Sequence, residues 1–138
     1  MKTEQPLLIT SIKASTDLNK NLFVGFDGNL PVANSKPLGV VNADTGAGNM
    51  CPVAVAGIVL VKTGSAVQRG SAVTANASGK AVPVLNFTVS VPQGSNSVLS
   101  NSTFPTLLLN GGVLPQSVAG YALDDASGAD QLIRVLLT

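Results

Sequence analysis

The sequence predicts an all-β protein, a small barrel or sandwich built from two pseudo-repeated β units. Three observations predict it. Short Val-rich runs alternate with period two, glycines and asparagines break them at close intervals, and the second half of the chain repeats the layout of the first. At 138 residues the chain has the size of one domain, long enough to bury a core without metal or disulfide staples.

Within that domain, residues 1–13 are either an ordinary first strand or an arm that adds to a neighbour. Their segment PLLITSI carries Leu7, Leu8, Ile9 and Ile12, and burying each would stabilise by roughly 1.5 to 3 kcal/mol before ordering entropy is subtracted. Residues 14–85 form the first part of the barrel. In LFVGFDGNL, Leu22, Val24 and Phe26 point to one side, and Asp27-Gly28 supplies the positive φ angles of a tight hairpin turn. The device recurs in AVTANASGKAV, where Val73, Ala75 and Ala77 alternate, Ser78-Gly79 turns, and a solvated Lys80 starts the return strand.

PLGVVNADTGAGNMCPVAV (37–55) parallels VAGYALDDASGADQLIRVLL (118–137), with Thr45-Gly46-Ala47 falling on Ser127-Gly128-Ala129 and Val53 on Val135. Gly28 to Gly46 is 18 residues and Gly79 to Gly128 is 49, so the second unit carries 49 − 18 = 31 more residues. They lie in a loop-and-strand insertion, 86–117, before the closing strands of 118–138. In QLIRVLLT, Ile133, Val135 and Leu137 share one face and Leu132, Arg134 and Leu136 the other. Apolar residues on both faces imply a strand covered on both sides, either centrally in the domain or at a subunit contact.

Composition excludes several function classes. Charged residues are only 11% of the chain, so much of the surface is neutral and suited to lie against another protein. A formal charge of +1, one tyrosine and four phenylalanines leave neither a basic footprint nor a stacking platform for nucleic acid. Residues 81–123 carry no charge, but Pro83, Pro92, Pro105 and Pro115 break every possible membrane-spanning helix there. The first residues lack the apolar stretch of a secretory signal, which points to synthesis in a cytoplasm. The single Cys51 sits in an apolar run and reads as a small core residue.

Catalysis finds no foothold. There is no histidine for proton transfer, no G-x-S-x-G elbow, and the stretch ending in Gly79-Lys80 has Thr74 and Ala81 where a phosphate loop needs glycine and a hydroxyl. Asp124, Asp125 and Asp130 in DDASGAD lack the spacing of a calcium loop and read as solvated turn formers. The rhythm G-x-x-V-x-x-G-x-x-V at 64–73 is shared with lipoyl and biotinyl carrier hairpins, yet Lys80 lies between Gly79 and Ala81 without the rest of that pattern. No cofactor, metal or glycan is expected.

The order FDGNLPVA, LGVV, AGIVLV, GSAVQRGSAVTANASGKAV and AGYALDDASGADQLIRVLL resembles the capsid cement or decoration proteins of tailed bacteriophages, over residues 14–84 and 118–138. The resemblance implies a non-enzymatic virion protein on the capsid exterior that clamps neighbouring major capsid subunits. A closed symmetric oligomer repeats one modest contact several times, so a homo-oligomer is expected, a trimer ahead of a dimer. On this reading Leu7, Leu8, Ile9 and Ile12 form a clasp, while Phe87, Val89, Val91, Phe104, Leu107, Leu108 and Leu109 contact a sister subunit or project as a spike. The competing class is a carbohydrate- or receptor-binding module of a phage tail or head surface, against which the scarcity of aromatic residues speaks.

Overall fold

The computed structural model describes residues 2–85 and 116–138. Among these residues there are eight strands and no helix: β1 (Gln5–Lys13), β2 (Phe23–Val24), β3 (Gly39–Val41), β4 (Met50–Lys62), β5 (Ala72–Ala75), β6 (Ala81–Pro83), β7 (Gly120–Ala122) and β8 (Leu132–Leu137). They form one sheet in the order β2-β3-β4-β8-β7-β5-β6, with β1 off this path on β4. All of its strand pairs are antiparallel.

The long strand β4 organises the rest. Its run MCPVAVAGIVLVK has no charge before Lys62, and its two parts serve different partners. The first part takes β1 and β3, and the second takes β8. Between them Gly57 adopts φ +101°, and the β1 register shifts opposite it. A Cβ there would stand 2.5 Å from the Gln5 carbonyl oxygen, so close approach and backbone angle both demand glycine.

The ends of the path come together, giving a nearly closed antiparallel barrel. The Phe23 N–H donates to the Gly79 carbonyl at 2.7 Å, which brings β2 to the β5–β6 turn. Beyond β4, Thr63 forms a parallel bridge to Ala81 in β6. Side chains of one core then meet inside: Phe23, Val40 and Ala54 from one part of the sheet, Val59, Val61, Val73, Ile133 and Val135 from the other. Because neighbours along a strand face opposite ways, Val24, Val41 and Val53 point to the other side. There they join Leu18, Cys51 and Ala14 in a second, smaller core. Cys51 is a fully buried free thiol.

The pairing pattern recurs along the chain. Phe23–Val40 and Val24–Gly39 have counterparts in Ala72–Tyr121 and Val73–Gly120. Ile9–Ala54, Thr10–Val53 and Ile12–Cys51 have counterparts in Ile58–Leu136, Val59–Val135 and Val61–Ile133. The bridge Leu18–Thr45 corresponds to Val67–Ala126, which sets Thr45 against Ala126 rather than Ser127.

Three local readings are corrected. Asp27-Gly28 does turn, with Gly28 at φ +80° and the Gly25 N–H on the Asn29 carbonyl at 2.8 Å. No return strand follows, since Pro31 and Pro37 lack the N–H a ladder needs, and β2 pairs with β3 instead. Phe26 is accordingly exposed, apart from Val24. The β5–β6 hairpin forms around Gly79 at φ +80°, but Lys80 is not free in solvent: its Nζ lies 2.6 Å from Asp130 Oδ1. The carboxylates of the DDASGAD loop are likewise engaged, as described below.

Candidate docking surface

β1 is a strand laid along β4, and all but one of its side chains are exposed. From Gln5 to Ile12 it has no charged residue, yet Leu7, Leu8 and Ile9 are 84, 58 and 45% exposed. Ile12 is partly buried against the second core and anchors the strand's end. The residues before β1 are held as well. Lys2 Nζ donates to the Leu132 carbonyl at 2.6 Å, and a Glu4 carboxylate oxygen accepts the Leu60 N–H at 3.2 Å.

Next to this strand lies an apolar row on the outer face of the sheet. Ile58, Leu136 and Tyr121 stand directly opposite one another across β4, β8 and β7, so they share that face. Leu136 and Tyr121 are each 44% exposed, and Leu132 adds to the same side. The strand β8 is therefore central in the sheet, with Ile133 and Val135 buried inward and a half-exposed apolar face outward. Arg134 sits on that outer face between Leu132 and Leu136, where Asp124 neutralises it through hydrogen bonds of 3.1 Å from Nε and 3.0 Å from Nη2. These bonds hold the Asp124 carboxyl down to about 2.

A second exposed apolar group, Phe26, Leu30 and Val32, occupies the loop between β2 and β3. Asn34 in that loop, at φ +70°, accepts the Ser117 N–H on its carbonyl at 3.1 Å, and its side chain bonds Gln116.

Three other carboxylates, Asp125, Asp44 and Asp130, each have a structural partner. Asp125 accepts the Arg69 N–H at 2.7 Å, and Asp44 accepts the Lys20 N–H at 2.7 Å in the corresponding place of the first half. Asp130 is held below the usual carboxylate range by Lys80. Asp124, Asp125 and Asp130 thus turn to three separate partners.

Of the residues expected at an interface, β1 brings Leu7, Leu8 and Ile9 together on an exposed strand and half-buries Ile12. Phe87, Val89, Val91, Phe104, Leu107, Leu108 and Leu109 lie outside the described residues. The Tyr121–Leu136 row was not singled out from the sequence, although the apolar residues on both faces of QLIRVLLT carried its signal.

Residues 1–137 match the family model described as phage cement protein. The chain belongs to that family. It is a structural, capsid-stabilising protein of the virion, and its partners are capsid proteins. Among solved structures, the N base of the head fibre protein gp8.5 of bacteriophage phi29 has a similar fold, with a TM-score of 0.64 at 17% identity over 95% of this chain and 93% of that one. Among curated protein sequences none matches.

Proposed function

We propose that this cement protein binds the exterior of an assembled phage head through β1 and the neighbouring outer face of β7 and β8, bridging major capsid subunits and performing no reaction. The exposure of Leu7, Leu8 and Ile9 on a stretch without charge, Gln5 to Ile12, carries the reading. Apolar side chains at that exposure gain nothing in the isolated chain, and each would release hydration water against a capsid subunit. Docking a neutral surface desolvates few charges, so hydrophobic and backbone contacts dominate. The working form is a closed symmetric oligomer, in which one modest contact is repeated and gains through effective concentration. The absence of histidine and the pairing of Asp124 and Asp130 with basic side chains support a purely structural role.

The test is cosedimentation with undecorated heads. Leu7→Asp and Leu8→Asp alter exposed side chains, so melting temperature should stay within a degree or two of wild type while head binding falls at least tenfold. Undiminished binding by the doubly substituted protein would refute the β1 docking reading.

A further inference from the structure

β1 has two backbone edges, and among the described residues only one of them is used. The Ala14 N–H donates to the Asn49 carbonyl at 2.9 Å, so position 14 faces β4, and alternation turns Ile12 and Thr10 the same way. Ile9, Ser11 and Lys13 therefore direct their N–H and C=O groups away from β4. The second part of β4 shows the same geometry in occupied form. Leu60 and Lys62, which stand where Ser11 and Lys13 stand, turn their N–H groups from β8 to the Glu4 carboxylate at 3.2 Å and the Asn21 carbonyl at 2.9 Å. On β1 no such acceptor is present among the described residues.

The open part of the edge is short and defined. Lys13 is blocked, because its carbonyl oxygen lies against Gly28, where a Cβ would come within 2.2 Å of it. Toward the other end, the Gln5 carbonyl and Leu7 N–H crowd Gly57 on the β4 side, and Pro6 has no N–H to offer. Ile9 and Ser11 remain.

We propose that this edge pairs with the same edge of a second copy of the chain, antiparallel, with the two-fold axis at Thr10. In that register Ile9 of each copy bonds Ser11 of the other, Thr10 faces Thr10, and Leu8 faces Ile12. Four backbone hydrogen bonds form, and the open groups of one copy meet the open groups of the other. Two observations choose a second copy as the occupant. The remaining edges close within the chain: β2 on Gly79, β6 on Thr63, and the second part of β4 on Glu4 and Asn21. A copy therefore has only β1 to offer, among the described residues, and the contact is isologous. Charge agrees, because Gln5 to Ile12 carries none and each Lys13 lies opposite Leu7 of the other copy, so like charges are not opposed. This pairing favours the dimer, which the sequence ranks behind a trimer.

The proposal shares the exposure of β1 with the docking reading but is tested without heads, so the two fail separately. Light scattering of the full-length protein should give the mass of two chains. Ser11→Pro removes an outward N–H without touching the β1–β4 ladder, and should lower the mass to one chain whose melting temperature no longer depends on protein concentration. Thr10→Cys, combined with Cys51→Ala, should form a disulfide-linked dimer under mild oxidation, since residues facing each other in this register lie within disulfide reach. A wild-type mass of one or three chains would overturn the proposal. So would a dimer in which the cysteine at position 10 stays unlinked, a result that needs no folding of the proline variant.

Discussion

Gly120 lies with its bare Cα against the carbonyl of Leu136, where an added Cβ would stand 2.4 Å from that oxygen and 2.7 Å from Val135 Cγ1. Gly39 repeats the arrangement in the first half, 2.2 Å from the Ala54 oxygen and 2.9 Å from Val53 Cγ1. Both glycines let neighbouring strands close at points where a methyl group has no room. Gly39→Ala and Gly120→Ala are each expected to destabilise by about 1 to 3 kcal/mol, the usual range for overpacking. Gly128, with nothing within 4 Å of its Cβ position, is the control. Alanine there should be neutral or stabilise by about 0.4 to 1 kcal/mol through the unfolded chain. Urea unfolding midpoints compare the three.

Asp124 makes acid stability a readable property of the outer face. Arg134 lowers its carboxyl from 3.8 to about 2, first through the side-chain hydrogen bond. A folded-state value below the unfolded one means that this contribution is complete above about pH 4 and is lost as pH falls toward 2. Asp124→Asn should lower the melting temperature by a few degrees at pH 7, and its curve of melting temperature against pH should be flatter than wild type between pH 4 and 2. Parallel curves would mean the pair contributes nothing.

Asn76 sets the β5–β6 hairpin from within. Its Oδ1 accepts the Ser78 N–H at 3.0 Å and the Lys80 N–H at 2.9 Å across the turn. Asn76→Ala leaves both donors without that oxygen and should destabilise by about 1 to 2 kcal/mol. Asn76→Asp keeps an acceptor in place and should recover most of the loss. Chemical denaturation of the two variants checks this, with amide exchange at Lys80 reporting whether the turn itself has loosened.

What could be read from the sequence was what is local. Ser78-Gly79 announces its turn because glycine is the residue for positive φ, and the Val73/Ala75 alternation survives as a strand because both side chains go into the core. The same alternation at Leu22, Val24 and Phe26 misleads. The pattern runs on past the point where the strand ends, and nothing near Phe26 in sequence reveals that its would-be partner strand is interrupted by prolines. Lys80 and Asp130 are 50 residues apart, so their ion pair is a product of barrel closure and has no sequence signature. For PLLITSI, hydrophobicity alone does not separate a core strand from an exposed one. That distinction depends on β1 lying along one edge of β4 with no layer over Leu7 and Leu8 among the described residues.

Phe23 tests whether the two cores are separate. Among the described residues it is the largest fully buried side chain, it belongs to the first core, and its N–H closes the barrel on Gly79. Phe23→Ala should destabilise by about 3 to 5 kcal/mol, and Phe23→Leu by less than about 1.5 kcal/mol since it refills most of the volume. Cys51 reports on the other side, for it lies in the second core at 0% exposure. Its neighbours Val24, Val41 and Val53, on β2, β3 and β4, lie in the second core and not with Phe23, so a cavity on the Phe23 side leaves their packing in place. Under native conditions the Cys51 thiol of Phe23→Leu should therefore react with a thiol reagent as slowly as wild type, while the unfolding midpoint has already moved. A thiol that became reactive in step with the loss of stability would show instead that the two clusters open as one unit.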